Sequence, residues 1–481
     1  MKTFWKFSVV SLILGLASYV GMAQNNNAPW TLERCLEHGL LNSIRIRQGQ
    51  LDVQGSEITV KNAQMQRLPS VNANSSVGTN LGRTIDPTTN EFTFNSLVSQ
   101  SISASANVTL FSGFSINNTI AQSKIDRQAS EYSLEDTKNQ VSLDIINFFT
   151  QVLFNREQLE AAQARLETSE AQLAQTKKQV ELGVFPVANE LQAQQQVATD
   201  ELQVVNFENA VALSLLQLRQ LLMVNPNDPF DIVSPELEAP GSYLIDQGAQ
   251  AIYEDAVKYQ PSIKAVDAQV ESAGYGVEIA KGGRYPSLSA GISWRTNYSS
   301  LLDSVPTEET VLTVVPIGFV DGTNELVVTP RNLPAGLEPI SYFGQWDYNS
   351  TNNVGVTLSI PIFNNYRVQT QIDRSKIALE RAEVNAINTR NTLRQNIEQA
   401  YQNVVAAQKT YQANQNSVSA QRELFANIEQ RYNLGAANAV EFTQGKNNLA
   451  TAESDLIRAK YDYIFKIKVL EFYQNKPLTF D

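Results

Sequence analysis

The feature that most constrains this chain is that it repeats itself. Slid along its own length by 252 residues, it meets its own pattern again without a gap. Leu110-Phe111-Ser112-Gly113-Phe114 falls on Ile362-Phe363-Asn364-Asn365-Tyr366, Ser123-Lys124-Ile125 on Ser375-Lys376-Ile377, Leu182-Gly183 on Leu434-Gly435, and Ala198-Thr199 on Ala450-Thr451. Upstream the offset drifts to about 217, where Leu68-Pro69-Ser70 meets Tyr285-Pro286-Ser287. The halves therefore differ by insertions, the largest at residues 299–350.

Within each half the long polar segments carry an apolar residue every seven positions, which calls for helices that supercoil left-handedly around neighbours. The first seam is Ile145, Val152, Leu159, Leu166, Leu173 and Val180; the second is Ile397, Val404, Tyr411, Val418, Phe425 and Tyr432, each 252 residues after its counterpart. Beyond each Leu-Gly pair the period resumes, with Val197, Val204, Val211 and Leu218 matched by Leu449, Leu456, Tyr463 and Leu470. Each half thus predicts a helical hairpin. Gly183 and Gly435 suit the left-handed residue that ends a helix. From Ser115 to Leu182 the pattern implies roughly 100 Å of helix. A coiled-coil stalk would account for that much.

It does not account for the strands. Val71, Ala73, Ser75 and Val77 alternate with Asn72, Asn74 and Ser76, and Ile102, Ala104, Ala106, Val108 and Leu110 alternate with small polar residues. In the second half Leu288, Ala290, Ile292 and Trp294, then Val354, Val356, Leu358, Ile360 and Ile362, do the same. One face is apolar and the other small and polar, over about 10 residues, as lipid-facing barrel walls require; a half-buried soluble sheet would read similarly. Four strands cannot close a barrel, and an open sheet in lipid leaves its edges unpaired, so several chains must contribute. Phe92, Phe94, Trp294, Tyr298, Trp346 and Tyr348, in or beside the segments joining the strands, suit interfacial girdles.

Targeting and composition agree with a membrane destination. Lys2 and Lys6 precede a charge-free apolar run from Phe7 to Val20 and then Gly21-Met22-Ala23, which reads as a secretory signal peptide cleaved after Ala23. The run is too short for a spanning helix and no later stretch qualifies, so any span is made of strands. The formal charge is −12, and −14 once Lys2 and Lys6 are removed, which argues against nucleic acid as a partner. One cysteine, Cys35, and one histidine, His38, exclude an intramolecular disulfide framework, a Cys/His zinc cage and most catalytic triads. Cys35 also lies too far from the apolar run to be a lipid-modified first residue. Gly274-Tyr275-Gly276 begins like a dinucleotide loop, but Ile279 holds the sixth position and helix-forming sequence precedes it. No cofactor or catalytic residue is expected.

Together these residues resemble the TolC-like outer membrane efflux family, over essentially the whole mature chain. The matching pieces are Trp30-Thr31-Leu32-Glu33, the Pro-Ser strand openings at 69–70 and 286–287, Leu110-Phe111-Ser112-Gly113 and Ile362-Phe363-Asn364-Asn365 closing the strand pairs, and Arg431-Tyr432-Asn433-Leu434-Gly435 at the second hairpin tip. The resemblance implies a mixed α and β homotrimer: one 12-stranded β-barrel in the bacterial outer membrane, four strands per chain, continued by a long periplasmic α-helical barrel. It further implies no enzyme but a passive exit duct of a tripartite efflux or type I secretion system. An inner-membrane pump, RND or ABC type, would drive it through a periplasmic adaptor (membrane fusion protein). The tips, at Leu182, Gly183, Leu434 and Gly435, would meet that adaptor.

In relatives, acidic side chains near the second tip ring the periplasmic entrance. Glu441 fits that role here, with Asn189 its neutral counterpart and Gln444 where the family can have a second acid. The alternative for Glu441 is a solvated helix N-terminal carboxylate. The expected layout is a signal peptide at 1–23, a first repeat at 24–223, a linker or equatorial segment at 224–248, a second repeat at 249–475 and a tail at 476–481. The first repeat holds a helix, a strand pair at about 69–111 and a hairpin at about 115–223 with its tip at 183–189. The second holds a helix, a strand pair at about 286–362 around an extracellular loop at 299–350, and a hairpin at about 366–473 with its tip at 435–441. A structural coiled-coil surface protein is the competing reading; a periplasmic enzyme has nothing visible in its favour.

Overall fold

A computed structural model describes residues 29–94, 96–235, 243–323 and 325–476. The expected signal peptide lies outside them, as do most of the tail and part of the linker. The first half runs α1 (Leu32–Asn42), α2 (Ile44–Met65), β1 (Ser70–Asn80), β2 (Thr84–Ile85), β3 (Phe92–Thr93), β4 (Leu97–Ser112), α3 (Ser115–Glu181) and α4 (Val187–Leu221). The second continues with α5 (Tyr243–Tyr259), α6 (Pro261–Gly282), β5 (Ser287–Ser299), β6 (Ser304–Pro306), β7 (Thr310–Phe319), β8 (Leu326–Pro334), β9 (Leu337–Pro339), α7 (Tyr342–Tyr348), β10 (Thr351–Ser359), α8 (Arg367–Asn433) and α9 (Ala439–Tyr473). α3 and α8 have 67 residues each and α4 and α9 have 35 each. Equal lengths at a constant offset are what two copies of one heptad pattern produce. Among the described residues, no helix is long and apolar enough to cross a membrane.

The chain divides into two compact units that cut across the repeats. One comprises the described residues within 1–56, 126–270 and 382–481, and the other those within 57–125 and 271–381.

In the helical unit part of the heptad seams is core: Ile145, Val152, Ile397, Val404, Val418 and Tyr432 are buried, whereas Leu159, Leu166, Leu173 and Val180 are half-buried and Ala162, Ser169 and Thr176 are buried in their stretch instead. Ile145, Phe149, Val152 and Leu153 of α3 pack with Trp30, Leu32 and Cys35 beside α4's Leu218. Ile397 and Val404 of α8 pack with Ile252 and Ala256 of α5 and Tyr463, Ile467 and Leu470 of α9. Thr31 caps α1, its side chain accepting from the Arg34 N–H. The segment expected as a linker also contributes to this core. Its Ile232 is buried and bridged in parallel to Trp30, and Arg156 donates to the Ile232 carbonyl and pairs with Asp231. An apolar residue amid Asp, Pro and Asn could not be assigned to burial from the sequence alone.

In the other unit the four long strands form one antiparallel sheet in the order β1-β4-β5-β10. The register puts Val71, Ala106, Ile292 and Val354 in one row, and Val108, Ala290 and Val356 in another. Directly opposed residues share a face, so the apolar residues of all four strands fall on the same side. Asn72, Ser105, Ser293 and Asn353 lie on the other. Leu110, expected on the apolar face, falls instead in a β-bulge, and Phe111 takes its place opposite Leu288. An extra residue on one strand shifts the period-2 alternation beyond it.

The expected loop at 299–350 has its own structure: the two-stranded ribbons β6–β9 and β7–β8, and α7. At its base Gln345 exchanges two hydrogen bonds with the Ser299 backbone, and the Ser299 hydroxyl donates to Asp86 at 2.6 Å. Tyr298, Tyr342, Phe343 and Trp346 form an aromatic cluster there.

Candidate functional site: hairpin tips and open sheet edges

Each long helix stops because a glycine takes the left-handed conformation, φ +75° at Gly183 and +74° at Gly435. At the first tip the Gly183 N–H donates to the Val180 carbonyl and the Val184 N–H to Gln179, a Schellman stop. The second repeats it, Gly435 to Tyr432 and Ala436 to Arg431. A side chain on either glycine would meet open space, so backbone strain alone excludes one. Leu182 and Leu434, just before the glycines, are each 78% exposed. Val184, Val187 and Val440 are exposed as well, giving both tips apolar surface.

The tips differ in their caps. α9 is capped by Asn438, whose side chain accepts from the Glu441 N–H at 2.8 Å, whereas Pro186 precedes α4 with no side-chain cap. Glu441 is ion-paired: Arg431 donates to its carboxylate at 2.7 Å across the turn and also to the Ala436 carbonyl. The pairing holds the acid within its own hairpin. Gln444 donates to Asn448 on the same helix, and Asn189 lines a small cavity with Tyr432, Phe442 and Lys446. Phe185 of the first tip packs on Tyr432 of the second, with ring centroids 5.6 Å apart, and Tyr432 stacks on Phe442 at 4.7 Å.

Behind the tips is a buried polar cluster that the heptad reading missed. Lys446 of α9 and Asp200 of α4 are 7% and 2% exposed at the side chain, with Nζ 3.5 Å from Oδ2. The Ser169 hydroxyl of α3 donates to Asp200 and accepts from Lys446, and Gln196 donates to Asp200 at 3.1 Å. Burial pulls the Lys446 ammonium below its ordinary range, opposed by the Asp200 charge. A signal existed: the repeat-mates of Lys446 and Asp200 are Gln194 and Ala452, so both charges break the internal symmetry.

Cys35 and His38 do not form a site. Cys35 is buried in the α1–α3 core, where desolvation pushes its thiol up to about 12, and His38 sits edge-on to Trp30 at 4.9 Å. No group of three or more His, Cys, Asp or Glu among the described residues is placed to hold a metal ion.

The other open feature is the sheet. β1 and β10 are edge strands, exposed along their whole lengths, with no further partner strand among the described residues. Val71, Val77, Ile292, Val354, Val356 and Leu358 are all exposed on the one apolar face. In water this would be an aggregation hazard. In lipid the apolar face is matched and only the edges need partners.

Comparison with known proteins gives concordant matches. The outer membrane efflux protein family model matches residues 36–222 and 252–466, the two halves of the repeat. The outer membrane efflux protein BepC of Brucella suis biovar 1 is 20% identical over 358 residues, 74% of this chain and 68% of that protein. The outer membrane protein VceC of Vibrio cholerae superposes with a TM-score of 0.71 at 13% identity, covering 92% of this chain and 96% of that one. The CmeC outer membrane channel of Campylobacter jejuni gives 0.67 at 17% identity, covering 92% and 85%.

Proposed function

Because the chain belongs to the outer membrane efflux protein family, we propose that three copies close one 12-stranded barrel and that their hairpins continue it as a tunnel, a passive exit duct. The protein is an outer-membrane protein with a periplasmic helical extension, of a family of channels that serve tripartite efflux with an adaptor and an inner-membrane pump. The single observation that carries the trimer is the four-stranded sheet with one apolar face and two unpaired edges. Pairing β10 of one copy with β1 of the next satisfies every edge, and 12 strands are enough to enclose a pore.

The repeats at 24–223 and 249–475 supply equivalent walls, and the tips at 183–189 and 435–441 dock the adaptor through Leu182 and Leu434 beside the left-handed glycines. An RND- or ABC-type pump loads the duct, with small toxic compounds or exported proteins as cargo. Glu441, with Asn189 and Gln444 nearby, lines the periplasmic entrance, its charge tempered by Arg431. A structural coiled-coil protein would leave the apolar face and open edges without a use.

The test is to purify the full chain from outer membranes and insert it into planar bilayers. A heat-modifiable trimer with single-channel conductance is expected. A monomer, or a trimer that never conducts, would end this reading.

A further inference from the structure

The helical unit carries a groove away from the hairpin tips, walled in part by core side chains: Tyr461 belongs to the buried cluster around α3, and Phe154 and Phe465 pack against it. α3 and α9 meet along the groove, and it encloses about 300 Å³, at the small end of the range of about 300–1,000 Å³ for small-molecule sites. Its position follows from helix geometry. At 100° per residue, Ile145, Phe149, Val152 and Arg156 of α3 lie within about 40° of one line, the side on which α1 and the 230–233 segment pack. Thr150 and Phe154 lie about 140–180° round from it. On α9, Tyr463, Ile467 and Leu470 face α5, while Arg458, Tyr461 and Phe465 lie about 160–220° away. The groove therefore opens on the face that α1 and α5 leave uncovered. In a ring of such helices neighbouring copies abut the edges of the layer, so on the duct reading this face is the tunnel's inner wall.

Its lining is chemically directed. Phe154 and Tyr461, centroids 6.4 Å apart, and Phe465 give aromatic walls. Thr150 lines the groove and is 5% exposed, yet its hydroxyl has no hydrogen-bond partner among the described residues. A buried unpaired hydroxyl is costly and points to a polar group supplied from outside. Two charged side chains line the groove. Asp462 is neutralised by Lys466 at 2.6 Å, whereas Arg458 is exposed and has no ion pair or hydrogen bond among the described residues. Of the two charged side chains that line the groove, the one left without a counter-charge is thus the cation.

We propose that the α3–α9 groove is a cargo station on the tunnel wall that takes aromatic carboxylates. The ring lies between Phe154, Tyr461 and Phe465, the carboxylate meets the planar fork of Arg458, and Thr150 supplies one further hydrogen bond. The proposal rests on the duct reading for its place in the tunnel, though not for its chemistry.

Binding is measured by calorimetry on the full chain in lipid nanodiscs, with 1-naphthoate as probe and 1-naphthalenemethanol and 1-naphthylmethylammonium as neutral and cationic controls. Saturable binding of one naphthoate per chain is expected, with the alcohol weaker and the ammonium weakest. Arg458→Gln should weaken naphthoate binding at least about tenfold, and the isosteric Thr150→Val about two- to tenfold. Arg458 is exposed, so its variant should keep the fold and the trimer. Non-saturable uptake, equal affinity for anion and cation, or unchanged affinity in both variants would overturn the site. A wild-type trimer that conducts but does not bind loses the station and keeps the duct. One that binds but does not conduct keeps the groove as a ligand site and loses the duct.

Discussion

A charge placed on the sheet tests the barrel most directly. Val356 stands in the row Val108–Ala290–Val356 on the apolar face, five residues past the start of β10 and three before its end. At about 3.3 Å per residue the strand spans roughly 30 Å, so Val356 lies within the hydrocarbon layer if β10 crosses it. An arginine facing lipid near the midplane costs about 2–4 kcal/mol, and the three copies of the proposed barrel would make that about 6–12 kcal/mol per trimer. Per chain this is about a 30- to 700-fold loss in the assembly equilibrium. The neighbouring Thr357 lies in the row Thr109–Ser289–Thr357 on the opposite face, which the proposed barrel turns toward its pore. The assay is the fraction of heat-modifiable trimer after refolding into lipid vesicles across a urea series. Val356→Arg should lose its trimer at far lower urea than Thr357→Arg, which should behave like the parent. Equal trimer yields from the two variants would mean that the faces are reversed or that the sheet does not meet lipid.

Four further outcomes are expected. Lys446→Met leaves Asp200 buried without its counter-charge and should cost about 3–5 kcal/mol in urea unfolding followed by helical circular dichroism, while the double variant with Asp200→Asn should recover most of it; a single variant within about 1 kcal/mol of the parent would refute the coupling. Gly435→Val forces a β-branched residue into the left-handed region at about 1–2 kcal/mol, and should abolish export while the barrel still inserts; export at the normal rate would remove the tip from docking. Arg431→Gln frees the Glu441 carboxylate and should raise cation selectivity in planar bilayers at low salt, where Glu441→Gln should lower it; if neither variant moves the reversal potential, Glu441 acts only as a helix N-terminal charge. For Cys35, raised from 9.0 to about 12, the thiolate fraction at pH 8 is on the order of 10⁻⁴, so the native protein should resist maleimide that the urea-unfolded chain takes up at once. A raised thiol pKa stabilises the fold below pH 9, and that contribution should be lost as pH climbs from 9 toward 12, visible as a Cys35→Ser variant with a flatter alkaline stability profile.

The sequence determined whatever depends on local period. Seven-residue spacing of Ile145, Val152 and Leu159, reproduced at Ile397, Val404 and Tyr411, specifies α3 and α8. Alternation at Val354, Val356 and Leu358 specifies which side of β10 is apolar, because side-chain direction follows from backbone geometry alone. The two left-handed glycines were legible for the same reason, since a helix stop is decided by a few consecutive residues. The tertiary structure decided everything that joins residues distant in sequence. The bulge that removes Leu110 from the apolar face arises only when β4 is set against β5. Ile232, in a stretch of Asp, Pro and Asn, becomes core only because Trp30 pairs with it across about two hundred residues. Asp200 and Lys446, 246 positions apart, look like ordinary solvated helix charges until α4 and α9 bury them beside Ser169. Glu441 is an unpaired acid in the sequence and a partner of Arg431 only once the turn at Gly435 folds one helix back along the other. Periodicity places a side chain on a face of its own element, but what that face meets depends on chain closure over long loops, for which a linear pattern carries no information.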